Sequence, residues 1–468
     1  MRTILQQLEQ WVPKPLRGLG THYYEMLPAA IRYGRVYRDA VKFLEESQFW
    51  AKEQHEVYQF KMLRLLLEHA VSHVPFYRNL YQSHKIQVED VRSVHDVQYL
   101  PTVQKTDLQT YLQQIKTENY PSSKFQYHTT GGSTGRPVGL YWESDRTVPL
   151  ERAFIRRQWN WAGFDIDHDR SVILRGIPTA SGKTIEKISN KKLRLSTYHL
   201  TPAIIEQYIK AIQDFKAVAI QAYPSAAYIV AQYILERGGT KFPSLKIVLC
   251  GSENMYDWQR NIIEQAFGCK TYSWYGLSEY VALAGECKHS RKYHCYSEYG
   301  ITEIIKENGQ QSKGGESGEI IATGFNNFAF PLIRYRTQDV ATVSSNQQCQ
   351  CGRNYLLLDR IEGRLQEMMV SKNGNLISMT AINMHSDVFD NLYQFQFYQD
   401  TPGKLIMKQV RRAAFSQEDD KKINYELQQK IGDQFDVECV AVDSIETTER
   451  GKSRFLIQKI PISDRGFT

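Results

Sequence analysis

Seven consecutive small residues, Thr129, Thr130, Gly131, Gly132, Ser133, Thr134 and Gly135, lie within the segment YHTTGGSTGRPVGLY, between two apolar flanks. Glycines let successive backbone N–H groups converge on an anion without Cβ clashes, and the hydroxyls add further donors. Such a loop can hold phosphate, although the same composition also builds an ordinary Gly/Ser turn. A second constellation is Cys287, His294, Cys349 and Cys351, four zinc-preferring ligands within 65 residues. The C-x-C pair can grip one metal while the distant Cys/His pair completes a tetrahedron across two loops, with Zn–S bonds of about 2.3 Å. His289 and Cys295 compete as ligands, and a buried free thiol is the plain alternative for any one of these cysteines. Four protein ligands would close the shell, so a metal here would brace the fold and not activate water.

Two phosphate fingerprints are excluded. Arg136 and Pro137 follow Gly135, so there is no G-x-x-x-x-G-K-[ST], and no G-x-G-x-x-G follows a strand at this point.

The elements that must position these residues change in texture along the chain. The first hundred residues carry apolar stripes at helical spacing, as in Glu56 to Val74, EVYQFKMLRLLLEHAVSHV. From about residue 125, short apolar runs end in turns (SVILRG, AVAIQAYPS, SLKIVLCGSE, TYSWYGLSE), which is the rhythm of βαβ units. After Gly300, alternating strands such as GEIIAT and Phe330 to Tyr335 predict a twisted sheet or distorted barrel beside the α/β layers. Beyond Gly363, LIMKQV, a helix over Gln417 to Phe435 and VECVAV predict a small α+β domain. The expected division is a domain over 1–362, with a helical leader over about 1–120, and a small mobile domain over 363–468.

Composition sets the outer limits. Hydrophobic residues make up 42% and charged residues 23% of the 468, as in a folded globular protein. Basic side chains exceed acidic ones by 58 to 51 with no Lys/Arg block, which argues against a nucleic-acid binder. The start, MRTILQQLEQWVP, has no signal-peptide pattern, and the most apolar window, Phe215 to Leu235, is interrupted by Lys216, Gln221, Pro224 and Gln232. A cytoplasmic protein without a transmembrane segment is expected. Seven cysteines, an odd number, argue against a disulfide framework.

TGGSTGRP over Thr130 to Pro137 resembles the phosphate loop [ST]-[ST]-G-[ST]-T-G-x-P of the adenylate-forming superfamily, with Gly131 in place of a hydroxyl. Further motifs resemble that family in order: Ser252-Glu253 in CGSENM, YGLSE over Tyr275 to Glu279, and RYRTQD over Arg334 to Asp339. HVPFYRNLY near 75, LPTVQKTDL at 100, HCYSEYGITEI at 294 and DRIEGR at 359 are similar to the phenylacetate-CoA ligase and CapK-like branch, associated with bacterial surface polysaccharide.

The resemblance implies an α/β adenylate-forming domain, a small mobile C-terminal domain, and ATP and Mg²⁺ as cofactors. It implies that Thr129, Thr130, Gly132, Ser133, Thr134 and Gly135 hold the β/γ phosphates, and that Glu279 holds Mg²⁺ while Ser278 donates to the α-phosphate. Tyr275 and Gly276 would lie near adenine, with Ser252, Glu253 and Arg360 among the nucleotide contacts and Asp339 on the ribose hydroxyls. Lys452, in TTERGKSRF, would bridge the carboxylate and the α-phosphate. Similar proteins carry a zinc where Cys287, His294, Cys349 and Cys351 fall. Gln338 stands where the family has glycine, and Gln366 where it has a hinge acid.

The implied reaction is ATP-dependent activation of a small carboxylic acid, followed by transfer to CoA, a carrier protein or an amine such as an amino sugar. The alternative is a degenerate, non-catalytic nucleotide or partner binder, suggested by Gly131, Gln338 and Gln366. Tyr223 and Trp274 suit an aromatic or apolar acid, and Arg175 either pairs with an anionic substrate group or faces solvent.

Overall fold

In the computed structural model, residues 27–129, 139–175, 184–197, 200–364, 368–374, 376–378, 391–431, 434–446 and 454–460 are described. The periodic stripe of the leader is a helix, Lys52–His73 (α2), preceded by Gly34–Ser47 (α1) and followed by Pro75–Ser83 (α3). Leu63, Leu66, Leu67 and Ala70 recur at helical spacing and bury the inner face of α2.

A hairpin of Phe125–Thr129 (β1) and Gly139–Glu143 (β2) brackets the Gly/Thr loop, with Phe125 opposite Glu143 and Thr129 opposite Gly139. It leads into the helix Thr147–Ala162 (α4). Next come Ser171–Arg175 (β3), Ile185–Ser189 (β4), Lys192–Ser196 (β5), the helix Pro202–Phe215 (α5), Ala219–Ala222 (β6), Pro224–Glu236 (α6), Ile247–Gly251 (β7), Asp257–Phe267 (α7) and Lys270–Gly276 (β8). Every residue of β6 and β7 is buried, as expected of parallel strands covered on both faces, and their sequences are apolar but for Gln221 in β6.

Six further strands complete the sheet: Leu283–Cys287 (β9), Ser290–Cys295 (β10), Gly300–Ile305 (β11), Ser317–Gly324 (β12), Tyr335–Val343 (β13) and Leu356–Arg364 (β14). The twelve-stranded sheet has the order β11-β12-β13-β14-β10-β9-β8-β7-β6-β3-β5-β4. The run from β8 to β5 is parallel and the remainder antiparallel. Helices α5, α6 and α7 bury one core against it, while α1 and α4 bury a second core on the other face.

The expected strand over Phe330 to Tyr335 begins only at Tyr335. Pro331 has no N–H to give a ladder, and Arg334 takes a left-handed φ of 49°, so Phe330, Leu332 and Ile333 fill the core as irregular chain.

Beyond β14 lie Met368–Val370 (β15), which pairs with Leu376–Ser378 (β16), and then Leu392–Gln399 (β17), Lys404–Arg411 (β18), the helix Gln417–Ile431 (α8), Asp436–Ala441 (β19) and Leu456–Gln458 (β20). Strands β17 to β20 form a separate four-stranded sheet of order β19-β18-β17-β20, whose core contains Phe397, Met407, Ile423 and Leu427. Gln366 lies outside the described residues. No helix among the described residues is long and apolar enough to cross a membrane.

Candidate active site

Strands β3, β5, β6, β7 and β8 run parallel and end along one edge of the sheet. The crevice outside such carboxyl ends is where open α/β sheets hold ligands. Ser252 and Glu253 follow β7 at this edge, Tyr275 and Gly276 end β8, and Ser278 and Glu279 occupy the turn beyond. Gly251 must be glycine, because a Cβ there would lie 2.5 Å from Trp274 Cε2. Its absence lets Trp274 lie flat against β7. Ser252 takes a left-handed φ of 70°, and Glu253 Oε2 accepts the Ser225 N–H at 3.0 Å, at the positive end of α6.

YGLSE and RYRTQD are interlocked. Tyr275 Oη donates to Asp339 Oδ2 at 2.6 Å, and Tyr335 Oη donates to Glu279 Oε1 at 3.3 Å. Each tyrosine precedes its own motif's acid by four residues and bonds the acid of the other motif. Asp339 is 5% exposed, and its N–H donates to Thr337 Oγ1 at 3.1 Å. Gln338 holds a left-handed φ of 64°, and its N–H donates to Glu319 Oε1 at 3.1 Å. The turn that glycine ordinarily makes is thus kept with Gln, at a cost of about 1 kcal/mol.

Thr130, Gly132, Ser133, Thr134 and Gly135 lie outside the described residues, as does the Thr129 side chain. The arms of their hairpin are fixed beside Glu279. Trp142 of β2 donates from Nε1 to the Ser278 carbonyl at 3.0 Å, its ring lies 4.7 Å from that of Tyr280, and His128 of β1 stacks on it at 3.3 Å. Trp142 and Tyr335 were not identifiable as site residues from sequence. Tyr335 lay inside a recognised motif, but nothing local marked its bond to Glu279.

Lys452 also lies outside the described residues. The chain resumes at Arg454, and the Phe455 ring packs 5.5 Å from both Tyr256 and Trp258, just after Glu253. Arg360 is exposed on β14 opposite Thr342 and pairs with Glu362, whose carbonyl accepts from Asn254 Nδ2 at 3.0 Å.

Away from this edge, the ligand atoms of Cys287, His294, Cys349 and Cys351 all lie within 4.8 Å of one another. Cys287 Sγ stands 3.6 Å from Cys349 Sγ, and Cys351 Sγ stands 3.3 Å from His294 Nε2. A tetrahedron with ordinary zinc bond lengths has edges of about 3.5–3.8 Å, whereas a disulfide needs about 2.05 Å. His294 Nδ1 lies 3.1 Å from the Lys292 carbonyl and 3.2 Å from that of Gly285, so an Nδ1–H donated there leaves the Nε2 lone pair facing the sulfurs. The hydrogen bond with the Cys287 thiol holds the Cys351 thiol below the usual cysteine range. Of the competing ligands, His289 is exposed in the β9–β10 turn, and Cys295 is buried elsewhere, its thiol pushed up to about 12 by burial. All seven cysteines are unpaired.

Residues 369–459 match the family model of the CapK C-terminal domain. The chain is 25% identical to a phenylacetate-coenzyme A ligase of Thermus thermophilus over 71% of its length and 75% of the relative's. It is 23% identical to Protein CapK of Staphylococcus aureus over 92% and 94% of the two chains. Among solved structures, 2-hydroxyisobutyryl-CoA ligase in the postadenylation state superposes with a TM-score of 0.71 at 18% identity, covering 88% of this chain and 91% of that one. By motifs, fold and relatives alike, the chain resembles adenylate-forming ligases and is similar to phenylacetate-CoA ligases and to CapK.

Proposed function

We propose that this protein uses ATP and Mg²⁺ to join a carboxylic acid to AMP, releasing pyrophosphate, and then passes the acyl group to a nucleophile. CoA is the acceptor carried by the ligase relatives' names; a carrier-protein thiol or an amino sugar in surface-polysaccharide assembly is the narrower reading that the CapK-like motifs imply. The observation that carries this reading is the reciprocal pairing of Tyr275 with Asp339 and Tyr335 with Glu279 at the carboxyl ends of the parallel strands.

In the proposed chemistry, a substrate carboxylate oxygen attacks the α-phosphorus and the bond to the pyrophosphate oxygen breaks. Charge grows on the phosphate oxygens, so the site must supply donors and a cation aimed at them. Glu279 is the carboxylate that would hold Mg²⁺, and one such ligand suffices for a cation that keeps most of its waters. Asp339, held by Tyr275, would accept both ribose hydroxyls. Thr129, Thr130, Ser133 and Thr134 would close over the β/γ phosphates, and Ser278 would donate to the α-phosphate. A degenerate, non-catalytic protein loses part of its motivation, because Gln338 keeps the left-handed backbone of the usual glycine.

The test is carboxylate-dependent ATP–pyrophosphate exchange. Exchange that needs both Mg²⁺ and an added acid is expected; none across a broad acid panel, with folded protein, would reject the reading. Asp339→Ala should raise the KM for ATP by about 30-fold or more, since two charge-assisted hydrogen bonds are lost. Tyr275→Phe, which removes only the group orienting Asp339, should raise it by less than about tenfold. An unchanged KM in Asp339→Ala would remove Asp339 from the ribose site.

A further inference from the structure

Arg175 ends β3 on the crevice edge, one strand from β6. Val172 and Leu174 point into the core shared with α5 and α6, so strand alternation sends Arg175 to the opposite face, that of Trp274, Leu249 and α4. There its guanidinium carbon stands 5.4 Å from the Trp274 ring centre and 5.7 Å from that of Tyr223. Its Nε is sealed from solvent, and among the described residues it has no hydrogen-bond partner and no carboxylate forms an ion pair with the guanidinium. Glu253, an acid that acts on it through space, already accepts the Ser225 N–H, while Arg152 adds like charge. Burial pulls the guanidinium below its ordinary value.

Two aromatic faces offset part of the cost of desolvating a cation, but they carry no formal charge. A partly buried guanidinium left without a counter-ion is destabilising, and the fold gains nothing visible in return. Its planar fork of donors matches a carboxylate or a phosphonate oxygen pair. An aromatic-walled crevice with such a fork at one end would select an acid with two anionic ends: one exposed to ATP, the other against the fork.

We infer that Arg175 is the specificity residue of the acyl pocket, holding a second anionic group on the carboxylic acid that the protein activates; this rests on the ligase reading above. The probes are matched pairs in ATP–pyrophosphate exchange: glutarate with valerate, adipate with hexanoate, and 4-carboxyphenylacetate with phenylacetate. A further probe, 4-phosphonobutyrate, distinguishes a phosphonate from a carboxylate as the second group. The wild-type protein should favour the doubly anionic member by about 10²-fold in kcat/KM, and in Arg175→Met the ratio of diacid to monoacid kcat/KM should fall to about one. Arg175→Lys, with charge but no fork, should fall between them.

A wild-type preference for monoacids, or an Arg175→Met protein that keeps the diacid preference, overturns the inference while the ligase reading stands. Because the wild-type panel alone can overturn it, misfolding of the variant does not protect it. Silence of the wild-type protein with every acid sinks the ligase reading and this inference together.

Discussion

Lys452→Ala is expected to lower carboxylate-dependent ATP–pyrophosphate exchange by about 10³-fold, with ATP binding and thermal stability nearly unchanged. A lysine that bridges the attacking carboxylate and the α-phosphate meets most of its charge in the transition state, where negative charge gathers on the phosphate oxygens. Losing one such donor typically costs 10²–10³ in rate, about 3–4 kcal/mol. Because the interaction is weak in the ground state, the loss should fall on kcat and spare the KM for ATP. The side chain lies outside the described residues; Phe455, three residues further on, is seated on Tyr256 and Trp258. Pre-steady-state measurement of pyrophosphate release separates adenylation from acyl transfer, and an unchanged first-step rate in Lys452→Ala would remove the lysine from the chemistry. Lys452→Arg should not rescue, since a planar guanidinium does not replace a compact ammonium between two oxygens.

The same residues mark how far the amino-acid sequence reaches. Runs such as IVLCG were legible because that strand, buried on both faces, carries no polar side chain, and the helix over Lys52–His73 was legible from its period. The run at Phe330 was misread for a related reason: its apolar residues are buried, yet Pro331 and the left-handed Arg334 keep them out of a ladder. Apolarity reports burial, and only periodicity reports the element. Glu279 and Asp339 stand out in the sequence as candidates through their motifs. What joins them does not, because the bonds from Tyr335 and Tyr275 cross 56 and 64 residues of chain. The same holds for Trp142, tied to Ser278 across 136 residues. Arg175 shows the opposite limit: its type was visible, but whether it faced solvent or two aromatic rings depended on which strands became neighbours.

The Cys287, His294, Cys349 and Cys351 cluster should hold one zinc per chain, and the Cys349→Ser/Cys351→Ser double variant should lose it. The four residues join β9, β10 and the segment leading into β14, which otherwise meet through few ladder bonds: β10 pairs with β14 over three residue pairs and with β9 across a register shift. A metal at their centre fixes three segments at once. Structural zinc binds with roughly 10–16 kcal/mol in small peptides, where folding depends on it wholly. Here a large core remains, so the loss should be smaller, on the order of 5 kcal/mol, lowering the midpoint by about 10 °C. Chelation of the wild-type protein should give the same shift, and zinc should restore it. Catalysis should change little in the fraction that stays folded, because four protein ligands leave no open position for water or substrate. Cys295→Ser and His289→Ala, at the two neighbouring sites the cluster does not use, should keep a full equivalent of metal. Elemental analysis decides the matter directly: wild-type protein purified without chelator and found metal-free would reject the site, as would a double variant that still carries one zinc. Exchange activity lost in strict proportion to the zinc removed, at a temperature where the protein remains folded, would instead make the metal part of the chemistry.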